Sequence, residues 1–238
     1  MIWSLIYRKL RGNRGNTMIT MYESKRLLHL INLANSGAYL NSSGFSFDQA
    51  TREIVSGPKY NYPASLAQHS ISILPQLIHK LATNKAHEAF LQAYIIGNLE
   101  NDTSLLKALR ITPASIKWLG NEMYCGVGMQ KIDIVISTKE DEDEEILYVI
   151  ELKDDYSSPS AYTQIEKYIK WVSQYYCGNT PCFIQPVLIS KKPKRKRNSS
   201  TLTSINKAIN LLNNSTPSFC KKVLTIEYEL QGNSIYFK

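Results

Sequence analysis

KIDIVISTKEDEDEEILYVIELK, residues 131–153, decides how the rest of the chain is read. Two runs with the look of strands, IDIVI and ILYVIELK, flank an uninterrupted acidic run from Glu140 to Glu145. Side chains alternate faces along a strand, so Ile132, Ile134 and Ile136 are expected on one face and Asp133 with Val135 on the other. In the second run Tyr148, Ile150 and Leu152 share a face, with Val149, Glu151 and Lys153 opposite. If both apolar rows pack on the same core, Asp133, Glu151 and Lys153 converge on the other face. The acidic run between them reads as a solvated hairpin loop that keeps the sheet edge soluble.

Burying two carboxylates is expensive without positive charge, and the Lys153 ammonium meets only part of that need. A hard divalent cation supplies the rest, with Asp133, Glu151 and the Leu152 carbonyl as oxygen ligands. Such an ion acidifies bound water and offsets charge growing on a scissile phosphate, while Lys153 orients or deprotonates the attacking water. The set therefore suits phosphodiester hydrolysis. The plain alternative is a solvent-facing hairpin on which the same residues form surface ion pairs. In SAYTQIEKYIKWVSQYY, residues 160–176, Ile165, Ile169 and Val172 form an apolar stripe. Gln164 and Tyr168, four apart on a neighbouring face, are expected to reach the sheet and hold phosphate or a metal-bound water.

In this order, I-D-I-V-I, I-E-L-K and Q-x-x-x-Y on the following helix resemble the PD-(D/E)XK nuclease superfamily. The similarity is to its branch with the Q-x-x-x-Y element, which includes RecB-type domains, archaeal virus and repair nucleases and Holliday junction resolvases. It covers residues 84–190, roughly half of the chain. The resemblance implies an α/β fold with a restriction-endonuclease-like core, a central mixed sheet flanked by helices, cleaving DNA with Mg2+ or Mn2+. Position by position, the family's first metal-binding aspartate falls on Asp133, its D/E-x-K pair on Glu151 and Lys153, and its Q-x-x-x-Y on Gln164 and Tyr168. The glutamate that the family often adds from a preceding helix falls on Glu88 in KAHEAFLQAY, with Glu100 behind it. Ile132 precedes the aspartate where the motif's name has proline.

With 238 residues, 43% of them hydrophobic and 20% charged, the chain supports one large domain with appendages. Residues 1–75 read as a basic tail and helical appendage, with helices at Ser24–Asn35 and Phe47–Val55. Residues 76–190 form the expected nuclease core. Its helical signal begins at Ser70 and runs to Leu99 with Asn84 as an N-cap, then covers Thr103–Arg110 and a helical turn at Pro113–Trp118. Strands follow at 122–124, 131–137, 146–153 and 185–190, with a helix at 160–176. Residues 191–238 add a basic loop, a helix at Thr201–Leu212 and a strand pair turning at 231–233, packed on the core.

A net charge of +8 makes a polyanion the favoured partner. Lys191, Lys192, Lys194, Arg195, Lys196 and Arg197 are expected to grip DNA phosphates without reading sequence, with Arg8, Arg11 and Arg14 as a second grip. Structure-selective cutting of branched, flapped or junction DNA follows, and a homodimer would explain paired cuts. The rival is a nucleic-acid-binding protein that keeps the fold without turnover. The four cysteines lack zinc-site spacing. Free thiols in a reducing compartment are the preferred reading, with a Cys177–Cys182 bridge left open. The opening MIWSLIYRKLRG reverses a secretory signal and no stretch is long enough to span a bilayer. The expectation is a soluble intracellular protein, in the cytoplasm (the host's if viral), with no membrane partner. His69, His79 and His87 are expected as ordinary core or surface histidines.

Overall fold

The computed structural model describes residues 18–34, 45–48, 50–51, 53–56, 72–126, 130–139, 144–178 and 182–238. Arg8, Arg11, Arg14, His69 and the acidic residues 140–143 lie outside them. The chain divides into two compact units, residues 24–72 on one side and residues 1–23 with 73–238 on the other. In the smaller unit, Phe45–Asp48 (β1) pairs antiparallel with Glu53–Ser56 (β2). This corrects the helix expected over Phe47–Val55. FSFD and EIVS are short runs of aromatic and β-branched residues, which favour strand pairing over a helix. Helix α1, Met21–Ala34, covers the helix expected at Ser24–Asn35 as far as Ala34, and Asn35 lies outside the described residues.

The larger unit is an α/β structure built on one six-stranded mixed sheet. Helices α2 (Leu74–Ala82), α3 (Glu88–Asn98) and α4 (Thr103–Leu109) lead into the strands. These are β3 (Ile116–Cys125), β4 (Gln130–Thr138), β5 (Glu145–Lys153), β6 (Cys182–Lys191), β7 (Leu224–Gln231) and β8 (Ser234–Phe237), in that spatial order. The β3–β4, β4–β5 and β7–β8 pairs are antiparallel; β5–β6 and β6–β7 are parallel. Helix α5 (Pro159–Val172) crosses from β5 to β6, and α6 (Ser199–Ser215) crosses from β6 to β7. Residues 191–238 thus supply two strands of the same sheet.

Both faces of the sheet are covered. Ile134, Ile136, Tyr148, Ile150 and Leu152 pack against Leu77, Leu91, Ile95 and Leu105 of α2–α4. Val135, Leu147, Val149 and Leu188 pack against Ile165, Ile169, Val172 and Ile205 of α5 and α6. A parallel pair buried on both faces needs such near-continuous apolar strands, which VIEL and VLIS provide. The alternative of a solvent-facing hairpin is therefore excluded, and the charged residues lie at the end of the sheet rather than across one side. Ile132 also departs from the expected row, since it packs with the α5 layer rather than with Ile134 and Ile136.

Local chemistry sets the boundaries. Pro113–Ser115 is a 3-10 turn, and β3 starts at once after it, six residues before the strand expected at 122–124. Gly120 lets the Trp118 ring lie over the strand, where a Cβ would collide with it. The structure places Asn84 just past the end of α2 in the left-handed region, φ 51°, and gives the N-cap of α3 to His87. Asparagine tolerates that conformation, so it serves as a helix terminator here rather than the expected cap. The end of α5 widens into a π turn, Ser173–Cys177, and Cys177 is bridged to Cys182 at the start of β6 with Cα atoms 5.7 Å apart. That corrects the free-thiol reading for this pair; Cys125 and Cys220 are free. Among the described residues no helix is long and apolar enough to cross a membrane.

Asp102 caps α4, accepting from the Ser104 and Leu105 amides at 2.9 and 3.0 Å and from the Tyr94 hydroxyl at 2.8 Å. Replacing Asp102 by Ala is expected to destabilise the fold by about 1–2 kcal/mol, read as a lower urea midpoint with an unchanged slope.

Candidate active site

The site is made where two strands part. Pairing of β4 with β5 runs from Thr138↔Ile146 to Ile134↔Ile150 and stops there. The next pair in that register would set Asp133 directly against Glu151, and like charges facing each other destabilise a ladder. Instead Asp133 Oδ2 accepts the Leu152 amide at 2.7 Å. The main chain around Asp133 is held by side chains from both helical layers. Gln92 of α3 donates to Asp133 O at 2.9 Å, and the Tyr168 hydroxyl of α5 donates to Lys131 O at 2.6 Å. Opposite Asp133 on β3, Glu122 takes a positive φ of 47°. The irregularity in both strands turns Ile132 to the face opposite Ile134.

This geometry brings Asp133, Glu151 and Lys153 together at the carboxyl end of β5. Glu151 is 1% exposed; its Oε1 is bonded to the Lys153 ammonium, and its Oε2 is buried without a hydrogen-bond donor. Tyr168 stands beside Glu151, but its single proton is directed to Lys131 O. Gln164 donates to the Tyr168 hydroxyl, so it positions that ring rather than reaching the sheet. Glu88, in the first turn of α3, is half-buried and feels the charges of Asp133, Lys153 and Asp154.

Burial is the largest influence on these acids. It raises Asp133, and the neighbouring Glu151 charge raises it further, against the opposing Leu152 N–H. Glu151 is raised by burial, partly countered by Lys153; Glu88 is raised by burial and then by Asp133. For Lys153, burial alone favours the neutral amine. The bond to Glu151 and the charges of Glu88 and Asp133 outweigh it, and the ammonium is held above its ordinary value. A charged Lys153 can orient and stabilise an anion.

Among the described residues, no three His, Cys, Asp or Glu side chains form a ready-made metal cluster. The donor chemistry nevertheless fits a hard divalent ion. Glu151 Oε2 is a buried anionic oxygen without a donor, Asp133 is an adjacent carboxylate, and both are destabilised by the lack of positive charge. In a strand the N–H and C=O of one residue leave on the same side, so the Leu152 carbonyl enters the gap where Asp133 meets its amide. Asp133, Glu151 and Leu152 O would hold the ion, with Glu88 as an outer carboxylate.

Four residues at this site were not singled out for it from the sequence. Gln92 lies four positions after Glu88 on the same helix face, a spacing that pointed to it. His87, expected as an ordinary histidine, is 2% exposed. Its Nδ1 meets Lys85 O at 2.7 Å and therefore carries a proton, and its Nε2 lies 2.8 Å from the Tyr228 hydroxyl. The Tyr228 hydroxyl also lies 3.1 Å from Lys153 O, its one proton directed to either of these two acceptors, and the His87 amide donates to Asp154 Oδ2 at 3.2 Å. The start of α3 is thereby tied to the end of β5 through β7. No local pattern marked Tyr228, which sits 141 residues from His87.

The basic run is divided in its use. Lys191 Nζ donates to Asn84 Oδ1 at 2.8 Å, Lys192 is paired with Glu229 at 2.7 Å, and Arg197 donates to Ser157 at 2.7 Å. Lys194, Arg195 and Lys196 are exposed on the loop. Glu100 accepts the Tyr22 hydroxyl at 2.6 Å.

A raised carboxyl pKa makes the folded state hold a proton that the unfolded chain has already lost. The stability associated with Asp133, whose pKa is pushed up to about 8, is therefore present at low pH and is lost as pH rises through that value. In EDTA, the melting temperature of Asp133→Asn relative to wild type is expected to rise between pH 5 and pH 8, by at least the roughly 2–4 °C that 1 kcal/mol gives at this size. Comparison with known proteins finds no family model, no curated protein and no solved structure that matches the chain.

Proposed function

We propose that the protein is a metal-dependent endodeoxyribonuclease of the PD-(D/E)XK kind, hydrolysing phosphodiester bonds with Mg2+ or Mn2+. The observation that carries this reading is the buried Glu151 oxygen left without a donor beside Asp133, at the carboxyl end of parallel strands. Bound there, the ion would acidify a water and offset charge on the scissile phosphate. Asp133 and Glu151 would hold it, and Gln92 with Tyr168 fix the backbone that aims Asp133. The Lys153 ammonium faces the phosphate and stabilises the negative charge that develops on it. Asp154, bonded to the His87 amide, keeps the first turn of α3 and hence Glu88 against the site.

The net charge of +8 and the exposed Lys194, Arg195 and Lys196 suit backbone contacts rather than base reading, and so substrates chosen by shape: branched, flapped or junction DNA. A homodimer would place two such sites for paired cuts. One observation favours the rival, a nucleic-acid-binding protein without turnover: the Lys153 ammonium already occupies one Glu151 oxygen.

A labelled panel of single strand, duplex, flap, splayed arm and four-way junction, incubated with magnesium, manganese or calcium, separates the two. Magnesium- or manganese-dependent cutting is expected, abolished in Glu151→Gln and lowered about 10²–10³-fold in Lys153→Met. Binding in calcium without cutting under either catalytic ion would transfer the protein to the binding class.

A further inference from the structure

Residues at the ends of three adjacent parallel strands form one row. Lys153 of β5 lies opposite Ser190 of β6, which lies opposite Glu227 of β7. Opposed residues share a face, and with strands 4.7–4.9 Å apart the row from Lys153 to Glu227 spans about 10 Å. Ser190 is fully buried, and its hydroxyl has no hydrogen-bond partner. At the Glu227 end opens a cavity of about 470 Å³, lined by Lys192, Lys194, Arg195, Lys196 and Arg197 with Glu227 in its wall.

Arg197 is unlike the other cations here. One guanidinium nitrogen is fixed on Ser157 Oγ at 2.7 Å, and Ser157 is itself 7% exposed. The other terminal nitrogen is buried with no acceptor. A charged donor left unsatisfied is costly, and a planar guanidinium anchored at one edge presents its other edge in a fixed direction. An anionic oxygen entering the cavity as the loop yields would satisfy it. Lys191 and Lys192 are committed to Asn84 and Glu229 and have no such vacancy.

We propose that this cavity is a phosphate subsite for the nucleic-acid backbone, in which Arg197, oriented by Ser157, is the contact residue and Lys191 and Lys192 are loop anchors. The distance along the row places its phosphate within about three nucleotides of the one facing Lys153 on the same strand. Glu227 in the wall opposes the anion and keeps the subsite from holding free phosphate strongly. The inference rests on the nucleic-acid reading of the site but not on cleavage.

The test is binding of the full chain to a labelled duplex and a four-way junction in calcium, by fluorescence anisotropy across a salt series. Arg197→Gln is expected to weaken binding roughly tenfold and to reduce the salt slope by about one, with Lys170→Gln, an exposed cation paired with Glu166 away from the cavity, leaving the slope unchanged. Ser157→Ala, which leaves every charge in place, should weaken binding with an unchanged slope, and Glu227→Gln should tighten it. Circular dichroism melts establish that each variant is folded. If Arg197→Gln proves unfolded, Arg197→Lys keeps the charge without the fork and should also weaken binding. Equal slopes for wild type and Arg197→Gln, or an equal loss of slope in Lys170→Gln, would overturn the subsite while leaving the nuclease reading intact. Competition by inorganic phosphate at concentrations that leave Arg197→Gln unaffected would instead assign the cavity to the free ion and overturn the backbone assignment. A wild type that binds the duplex as expected yet never cuts would sink the nuclease reading alone.

Discussion

A carboxylate buried to 1% exposure, with a lysine on one oxygen and nothing on the other, is the constraint around which this end of the molecule is arranged. Glu151 cannot face Asp133 in a regular ladder, so β4 leaves β5 after Ile134. Once the ladder opens, the freed main-chain groups need other partners, because buried backbone polar groups are rarely left alone. Gln92 from one helical layer, Tyr168 from the other and the Asp133 carboxylate itself provide them. The helices are positioned by the cores on their own faces of the sheet, and each contributes one polar side chain to the opening.

That arrangement explains the uneven roles of the Q-x-x-x-Y pair. Tyr168, buried on the face of α5 turned to the sheet, gives its one hydroxyl proton to Lys131 O. Its hydroxyl stabilises the course of β4, and Gln164 holds the hydroxyl in place. The burial that raises Asp133, Glu151 and Glu88 is the same burial that makes Lys153 necessary. Low polarity around the acids strengthens each charge–charge interaction, so one ammonium governs three carboxyls at once.

Much of this was legible in the sequence, for reasons that differ by element. IDIVI and ILYVIELK are long, apolar and unbroken, so their strands were clear, and the spacing of Glu151, Lys153, Gln164 and Tyr168 placed them on the right elements. The alternation rule failed at Ile132 because it assumes an unbroken strand, and the break is caused by a residue on the neighbouring one. FSFD and EIVS were misread because a hairpin of four-residue strands carries too few positions to show a period. Tyr228 and Ser157 could not be found at all: their partners lie 141 residues away at His87 and 40 residues away at Arg197, and no one-dimensional pattern joins them.

The Tyr228 hydroxyl, set between His87 and Lys153 O, has a consequence for the order in which the molecule becomes competent. Glu88, Asp133 and Glu151 have all been synthesised by the time Lys153 emerges, yet the second tie from α3 to the end of β5, through Tyr228, is supplied 75 residues later. Contacts so distant in sequence close late, after the entropy of long loops has been overcome. A nascent chain carries these charged residues before β7, the last parallel strand in sequence, is available to tie α3 to them.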